Sequence, residues 1–513
     1  MGTTPGGAPL TIVDGLRGFA AAQPHTAAVI DGDRTLGYRH LDERANRVAN
    51  TLLAAGLDRG ERVAVLLGNR LEYCEIAAGI AKAGMVMVPL NPRLTSAEVR
   101  YIVRHSGSRA LIADDAGAPI AGESAAGLPF VLSIDGTTLG GAYEDALAGA
   151  ESSDPDLPLV ESDAFCIAYT SGTTGNPKGV VISHRSRALT FYMSALEWNL
   201  GIGRRSLAVA PMYHGAGFAF GYAPVHTGGT VSMLRSWSPE KCLALLERDR
   251  IQSVFLVPTH AYMLRALGDE AIASYDLSAL DTIFFNAAAL PGPLKAWVLD
   301  AFPQAGVHEL YGSTESGIIA NLRPADARRK TGSVGHPWFQ TEVRVLGADG
   351  TPAAPGEPGE LFSRSPYLMN GYLDNAAATE ECTTGDGFVT CGDIVVRDEE
   401  GYLYIVDRKK DVIISGGVNV YPREVEEAVL SHPAVDDVAV VGIPHEKWGE
   451  QVAAAVVLAA GADLTYEELA AHVRPLLAGY KVPRELAVVP ELPRNAGGKV
   501  LKRELRDRLG KPG

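Results

Sequence analysis

Cysteine is scarce in this chain, with five (Cys74, Cys166, Cys242, Cys382, Cys391) among 513 residues. None pairs as CxxC or at metal-ligand spacing, which excludes a disulfide framework and a metal cluster and predicts reduced thiols. Positive charge is short as well: 46 Lys and Arg face 61 Asp and Glu, a net charge of -15. A general basic field for nucleic acid is thereby excluded, although a local patch for a phosphorylated ligand is not. Long apolar runs are missing. The longest uncharged one, near Val452 to Ala462, is too short to span a bilayer. The opening residues MGTTPGGAPL lack the basic and apolar regions of a signal peptide. Repeats and low-complexity tracts are absent too. A cytoplasmic protein with no membrane span is the expectation.

What is present is ordinary globular material, 46% apolar and 21% charged, in a chain too long for one core. Short β-branched runs alternate with amphipathic stretches. RVAVLLG (62–68) reads as a strand, Leu71 to Ala83 as a helix, MVMVPL (85–90) and RALIAD (109–114) as strands. Thr95 with Glu98 reads as a capping box opening another helix. The same rhythm resumes at FCIAYTS, SLAVAP, TVSML, SVFLVP, TIFFNA and VHELYG. Nearly continuous apolar strands with helical connections predict an α/β fold of two doubly wound layers. After Gly332 the texture turns to short strands and Gly/Pro-rich turns, a small β subdomain. Beyond the charged cluster Asp407 to Asp411 a small α+β domain is expected, with a proline-started helix in YPREVEEAVL and a capping box at Thr465 and Glu468. The expected division is 1–407 and a lid, 408–513.

The densest chemistry lies in Tyr169-Thr170-Ser171-Gly172-Thr173-Thr174-Gly175-Asn176-Pro177-Lys178-Gly179. An apolar strand runs into a loop of hydroxyls, glycines and one lysine, then into Val180-Val181-Ile182. Glycines let backbone N–H groups approach a polyanion, hydroxyls donate further hydrogen bonds, and Lys178 adds charge. A triphosphate suits that set. The loop is not a Walker A motif, because Gly179 and not Ser or Thr follows the lysine.

The segment resembles the phosphate loop of the adenylate-forming enzymes, which include acyl-CoA synthetases, peptide-synthetase adenylation domains and luciferases. Further matches follow in the family's order: Pro211-Met212-Tyr213-His214, Tyr311-Gly312-Ser313-Thr314-Glu315, Cys391-Gly392-Asp393, Asp407-Arg408-Lys409-Lys410-Asp411 with Ser415-Gly416-Gly417, and Pro493 to Lys499. The resemblance covers essentially the whole chain, and six motifs in order are not chance. It implies ATP, Mg²⁺ and coenzyme A as cofactors and a small-molecule carboxylic acid as substrate. Tyr311 would face adenine, Thr314 a phosphate, and Glu315 with Thr174 the Mg²⁺ ion. Asp393 and Arg408 would take the ribose, Lys499 would bridge acid and α-phosphate, and His214 would stand beside the acid. Lys410 would be the hinge, Gly416 and Gly417 would line the thiol channel, and Tyr480 to Arg484 resembles a segment that meets nucleotide phosphates. Read alone, Asp393 is a turn aspartate and Lys499 one of several basic surface residues.

One stretch departs from the pattern. Relatives carry Gly-Gly-Ala-Pro or Gly-Ala-Ala-Pro on the turn that floors the acyl pocket, where this chain has Asn286-Ala287-Ala288-Ala289-Leu290. Added methyl groups should narrow the site, whereas Gly215, beside Tyr213 and His214, should widen it. A small or aromatic acid is expected before a long-chain one. No carboxylate stands after Met212 to hold an ammonium group, so a free α-amino acid is not expected, and no carrier domain is expected after Gly513. The alternative is an adenylating enzyme whose acceptor is an amine, a carrier protein, or nitrite activated for diazotisation.

Overall fold

The computed structural model describes residues 9–170, 177–416, 418–494 and 500–510. The chain divides into two compact units, Met1–Val343 with Ser363–Val389, and Arg344–Phe362 with Thr390–Gly513.

Two sheets organise the first unit. One joins, among the described residues, the strands His336–Pro337, Gly317–Leu322, Gly306–Ser313, Thr282–Phe285, Ser253–Leu256, Arg205–Ala208, Thr230–Met233, Ala27–Asp31 and Arg34–Gly37 in that spatial order. Its interior pairings, from Gly306–Ser313 across to Ala27–Asp31, are parallel, and its edges are antiparallel. The other runs Gly371–Tyr372, Lys178–Ser183, Ala164–Thr170, Val86–Pro89, Arg62–Leu66, Ser108–Ala113, Phe130–Ser133 and Gly141–Ala142. It is parallel from Ala164–Thr170 onward and antiparallel at Lys178–Ser183. Strand burial explains the sequence texture: Ser253–Leu256 and Thr230–Met233 are buried at every position, as strands covered on both faces must be. The expected α/β layers are therefore present.

Local signals set the helix ends. The helix Leu71–Lys82 is buried along its whole length. At Ser96–His105, Thr95 and Glu98 exchange both capping-box hydrogen bonds, satisfying two N–H groups the helix cannot pair itself.

In the second unit the strands Glu342–Leu346, Pro358–Arg364, Asp393–Arg397 and Leu403–Arg408 form one sheet, and Val418–Val420, Ile413–Ser415, Gly449–Leu458, Val435–His445 and Glu485–Val488 form another. The helix Pro422–Leu430 starts on its proline, and Thr465 caps Tyr466–Val473 with Glu468. Val440, Val452, Ala454 and Val456 from the strands meet Val425, Val429 and Val473 from the helices in one core. The charged cluster 407–411 lies inside this unit, at the end of Leu403–Arg408 and in the short 3₁₀ turn Lys409–Asp411.

Candidate active site

Parallel strands present their C-terminal ends on one edge, and loops leaving that edge are where open α/β sheets bind ligands. Thr282–Phe285 ends at Asn286, Arg205–Ala208 leads to Tyr213 and His214, and Gly306–Ser313 carries Tyr311 and Gly312 into the turn of Thr314 and Glu315. The first two strands are parallel neighbours of Ser253–Leu256, and the third is parallel to Thr282–Phe285. One sheet thus gathers six of the expected site residues and the 286–288 turn on one edge.

The turn at Glu315 is made tight by its glycines. A Cβ on Gly312 would stand 2.0 Å from the Gly317 carbonyl oxygen, so no larger residue fits between the antiparallel strands there. Tyr311 is buried, with 8% of its surface exposed. Glu315 Oε1 accepts a hydrogen bond from the Tyr372 hydroxyl at 3.0 Å, and its carbonyl accepts from Met369 N–H at 2.8 Å. Lys178 Nζ stands 4.9 Å from the centroid of the same Tyr372 ring. Cation, phenol and carboxylate therefore meet at Tyr372, although Lys178 and Glu315 come from different sheets. Lys178 opens its strand opposite Thr170, which places both mouths of the phosphate loop. Ser171, Gly172, Thr173 and Thr174 lie outside the described residues.

A single carboxylate fits Mg²⁺ in the manner this ion prefers, one or two carboxylates completed by substrate phosphates and water. Among the described residues no group of three His, Cys, Asp or Glu gathers as a metal cage. Bound there, the ion would neutralise charge on the phosphates, while Lys178 would supply a second positive charge.

The opposite side of the site is held by a residue that sequence reading missed. Asn69 is buried, and its amide donates to the carbonyls of Ala208, Val209 and Ala210 at 3.1, 3.3 and 3.1 Å. Its Oδ1 accepts from Met212 N–H at 2.8 Å. This clamp fixes the backbone that delivers Tyr213 and His214, whose rings lie 4.6 Å apart. His214 is the N-cap position of the helix Gly215–Thr227 and makes no side-chain cap bond. It keeps an exposed face while protein packed around it lowers its pKa by desolvation, assisted by the charge of Arg93. A neutral imidazole beside a carboxylate can donate or accept a hydrogen bond without competing for the proton.

Asn286 Oδ1 accepts from Ala287 N–H at 2.6 Å, and Ala287 has φ +71°. An alanine in the left-handed region costs about 1 kcal/mol, and that strain marks the place where a glycine would sit easily. Ala287 and Ala288 are both exposed. The departure seen in the sequence is thus a real irregularity of backbone.

In the second unit Asp393 and Arg408 are cross-strand partners, and Arg408 Nε meets Asp393 Oδ1 at 2.9 Å. That charge-assisted contact fixes the orientation of a buried side chain. Lys410 lies in the 3₁₀ turn, its pKa lowered chiefly by desolvation. Gly416 has φ +60°, and a Cβ there would stand 3.0 Å from Trp448. Lys481 is bound to both oxygens of Glu424, at 2.6 and 2.7 Å. Gly417 and Lys499 lie outside the described residues.

Strand-end hydroxyls, a lysine and a carboxylate on one side, with a clamped histidine on the other, define a class: ligases that bring ATP to a small acid. Comparison with known proteins agrees. The AMP-binding enzyme family matches residues 16–373, and the AMP-binding enzyme C-terminal domain matches 424–499. The chain is 38% identical to a feruloyl-CoA synthase of Amycolatopsis, over 96% of this chain and 97% of that one. It is 36% identical to a 2-succinylbenzoate–CoA ligase of Geobacillus kaustophilus, over 97% and 98%. Among solved structures, an amide bond synthetase from Marinactinospora thermotolerans superposes with a TM-score of 0.87 at 28% identity, covering 97% and 99%. The chain belongs to the AMP-binding enzyme family and is an AMP-forming ligase.

Proposed function

We propose that the acid is compact, aromatic or short, and that the residues assigned above from the family's motifs act in those roles. The protein activates a carboxylic acid with MgATP as an acyl adenylate, releasing pyrophosphate, and transfers the acyl group to the thiol of coenzyme A with loss of AMP. The observation that carries the adenylation step is the meeting of Lys178, Tyr372 and Glu315 at the sheet edge. Lys178 and the hydroxyls of the 170–174 loop bind phosphates, Glu315 with Thr174 holds Mg²⁺, and Tyr311 faces the base. Asp393 and Arg408 take the ribose, while Lys499 stabilises charge at the transferred phosphorus. Residues 408–513 act as the lid, turning at Lys410, and Gly416 and Gly417 line the thiol path. Strained Ala287 and exposed Ala288 narrow the acyl floor, which supports a compact acid, and relatives named for feruloyl and 2-succinylbenzoate substrates agree with it.

No helix among the described residues is long and apolar enough to cross a membrane, and the net charge of -15 gives no footing for nucleic acid. We place the reaction in the cytoplasm. A second reading, transfer to an amine, has the amide bond synthetase likeness in its favour. The test is acid-dependent pyrophosphate release across a panel of aromatic, short and long acids, with mass spectrometry of the product. Acyl-CoA from a compact acid supports the reading. Preference for long-chain acids contradicts the pocket assignment, and an amide with no thioester contradicts coenzyme A.

A further inference from the structure

Most deeply placed cations in the first unit have carboxylate partners. Lys82 is paired with Asp42 and Asp154, Arg70 with Glu72 and Asp135, and Arg44 with Glu75. Arg187 is different. It lies in the first turn of the helix His184–Trp198, the end of a helix where a positive charge is least welcome. Among the described residues it makes no hydrogen bond or ion pair, and its buried Nε has no partner at all. The side chain is half-buried, desolvation lowers its pKa, and the neighbour whose charge bears on it is the Cys166 thiol. That thiol is itself pushed up to about 12 by burial, so it is neutral and compensates nothing.

A buried guanidinium nitrogen left without a hydrogen-bond partner carries a desolvation cost. The position of this one gives it a use. Arg187 Nη2 stands 3.8 Å from where a side chain on Gly215 would begin, and Gly215 opens the helix Gly215–Thr227. The guanidinium therefore lies beside the first residue of that helix, and a guanidinium next to a helix N-terminus favours an anion. Part of the Arg187 surface stays accessible despite its depth, as a side chain lining a cleft would.

We infer that the acid activated here carries a second carboxylate, which passes Gly215 and pairs with Arg187 while the first is adenylated. The substrate class is then a compact dicarboxylic acid. This rests on the reading of Tyr213, His214 and Gly215 as acyl wall, and it makes Arg187 a specificity-determining residue.

The test uses the full chain with MgATP and matched acids, benzoate against isophthalate and terephthalate, hexanoate against adipate. Pyrophosphate release is measured for wild type, Arg187→Met and Arg187→Lys. Wild type should favour at least one dicarboxylate over its match by about 10²-fold in kcat/KM, the scale for a buried charge pair. Arg187→Met should lose that preference and keep or improve its rate on monocarboxylates, and Arg187→Lys should retain part of the preference. Melting supplies a readout apart from turnover: without acid, Arg187→Met should melt at or above wild type, and the stabilisation of wild type by the dicarboxylate should vanish. A uniform loss on every acid would put Arg187 on the reacting carboxylate and overturn the inference. So would an unchanged acid profile, or a wild type that prefers monocarboxylates, and both leave the ligase reading intact. No pyrophosphate with any acid would count against the ligase reading itself, and the melting shift with dicarboxylate would still decide this one.

Discussion

The two proposed walls of the site in the first unit are built on opposite plans. On the nucleotide wall the two described charged groups have company: Glu315 is bound by the Tyr372 hydroxyl, and Lys178 lies over the Tyr372 ring. On the acyl wall the backbone is pinned by Asn69, yet among the described residues Arg187 Nε has no partner. A wall whose charges are pre-arranged around a constant ligand serves any acid equally. A wall that fixes its frame and leaves a functional group unsatisfied selects. The difference teaches that chemistry and specificity are separable here, and each can be broken alone.

The largest effects should come from the nucleotide side and should not depend on the acid. Glu315→Gln should cost on the order of 10²–10³-fold in pyrophosphate release, the scale for losing one preorganised charge at a phosphoryl centre, by the same factor across an acid panel. Lys499→Ala should cost on a similar scale, on the order of 10²–10³-fold. Thioester formation from supplied acyl-AMP should be little affected, which a coupled half-reaction assay reads directly.

Next comes the frame of the acyl wall. Asn69→Leu removes four hydrogen bonds to the 208–212 backbone and should displace His214. An expected loss of about 10–10²-fold in kcat/KM for the acid, with KM for ATP nearly unchanged, would separate the walls kinetically. Equal damage to both substrates would merge them.

Acid should weaken the helices behind the acyl wall. His184 and His226 are buried, and desolvation brings each to about 4. Their folded pKa values lie below the unfolded value near 6.5, so the stability they contribute is present above pH 6.5. It is lost as pH falls towards 4, at up to about 1.4 kcal/mol per pH unit for each group. Urea midpoints between pH 7.5 and 5 should fall accordingly, and the doubly substituted His184→Phe, His226→Phe chain should show a shallower slope.

The smallest effect should be Ala287→Gly. Relief of the φ +71° strain should raise stability by about 1 kcal/mol, seen as a higher urea midpoint, and the wider floor should admit bulkier acids. Lower stability would show that the turn is not strained.

How far the sequence carried this picture follows from the range of each signal. Thr95 with Glu98 and Thr465 with Glu468 announced their helices because capping is settled within four residues. Buried strands such as Ser253–Leu256 were legible because a strand covered on both faces has no polar alternation. The motifs at Tyr311 to Glu315 and at Asp393 suggested a site by resemblance, and the Asp393–Arg408 pair emerged from strand register. Asn69 was not legible: it follows an apolar strand as any turn asparagine would, and its partners are some 140 positions away. Tyr372 was hidden for the same reason, since its contact with Glu315 joins two sheets. Arg187 was invisible because what distinguishes it is a missing partner, and absence of a contact has no sequence signature.

The separation of chemistry from specificity is tested most directly by one panel of acids run side by side on wild type, Glu315→Gln and Ala287→Gly, with kcat/KM from pyrophosphate release. Glu315→Gln should lower every value by one common factor and leave the order of acids intact, whereas Ala287→Gly should reorder them at little cost in overall rate. A Glu315→Gln chain that reorders the acids, or an Ala287→Gly chain that preserves the order, would contradict the two-wall account.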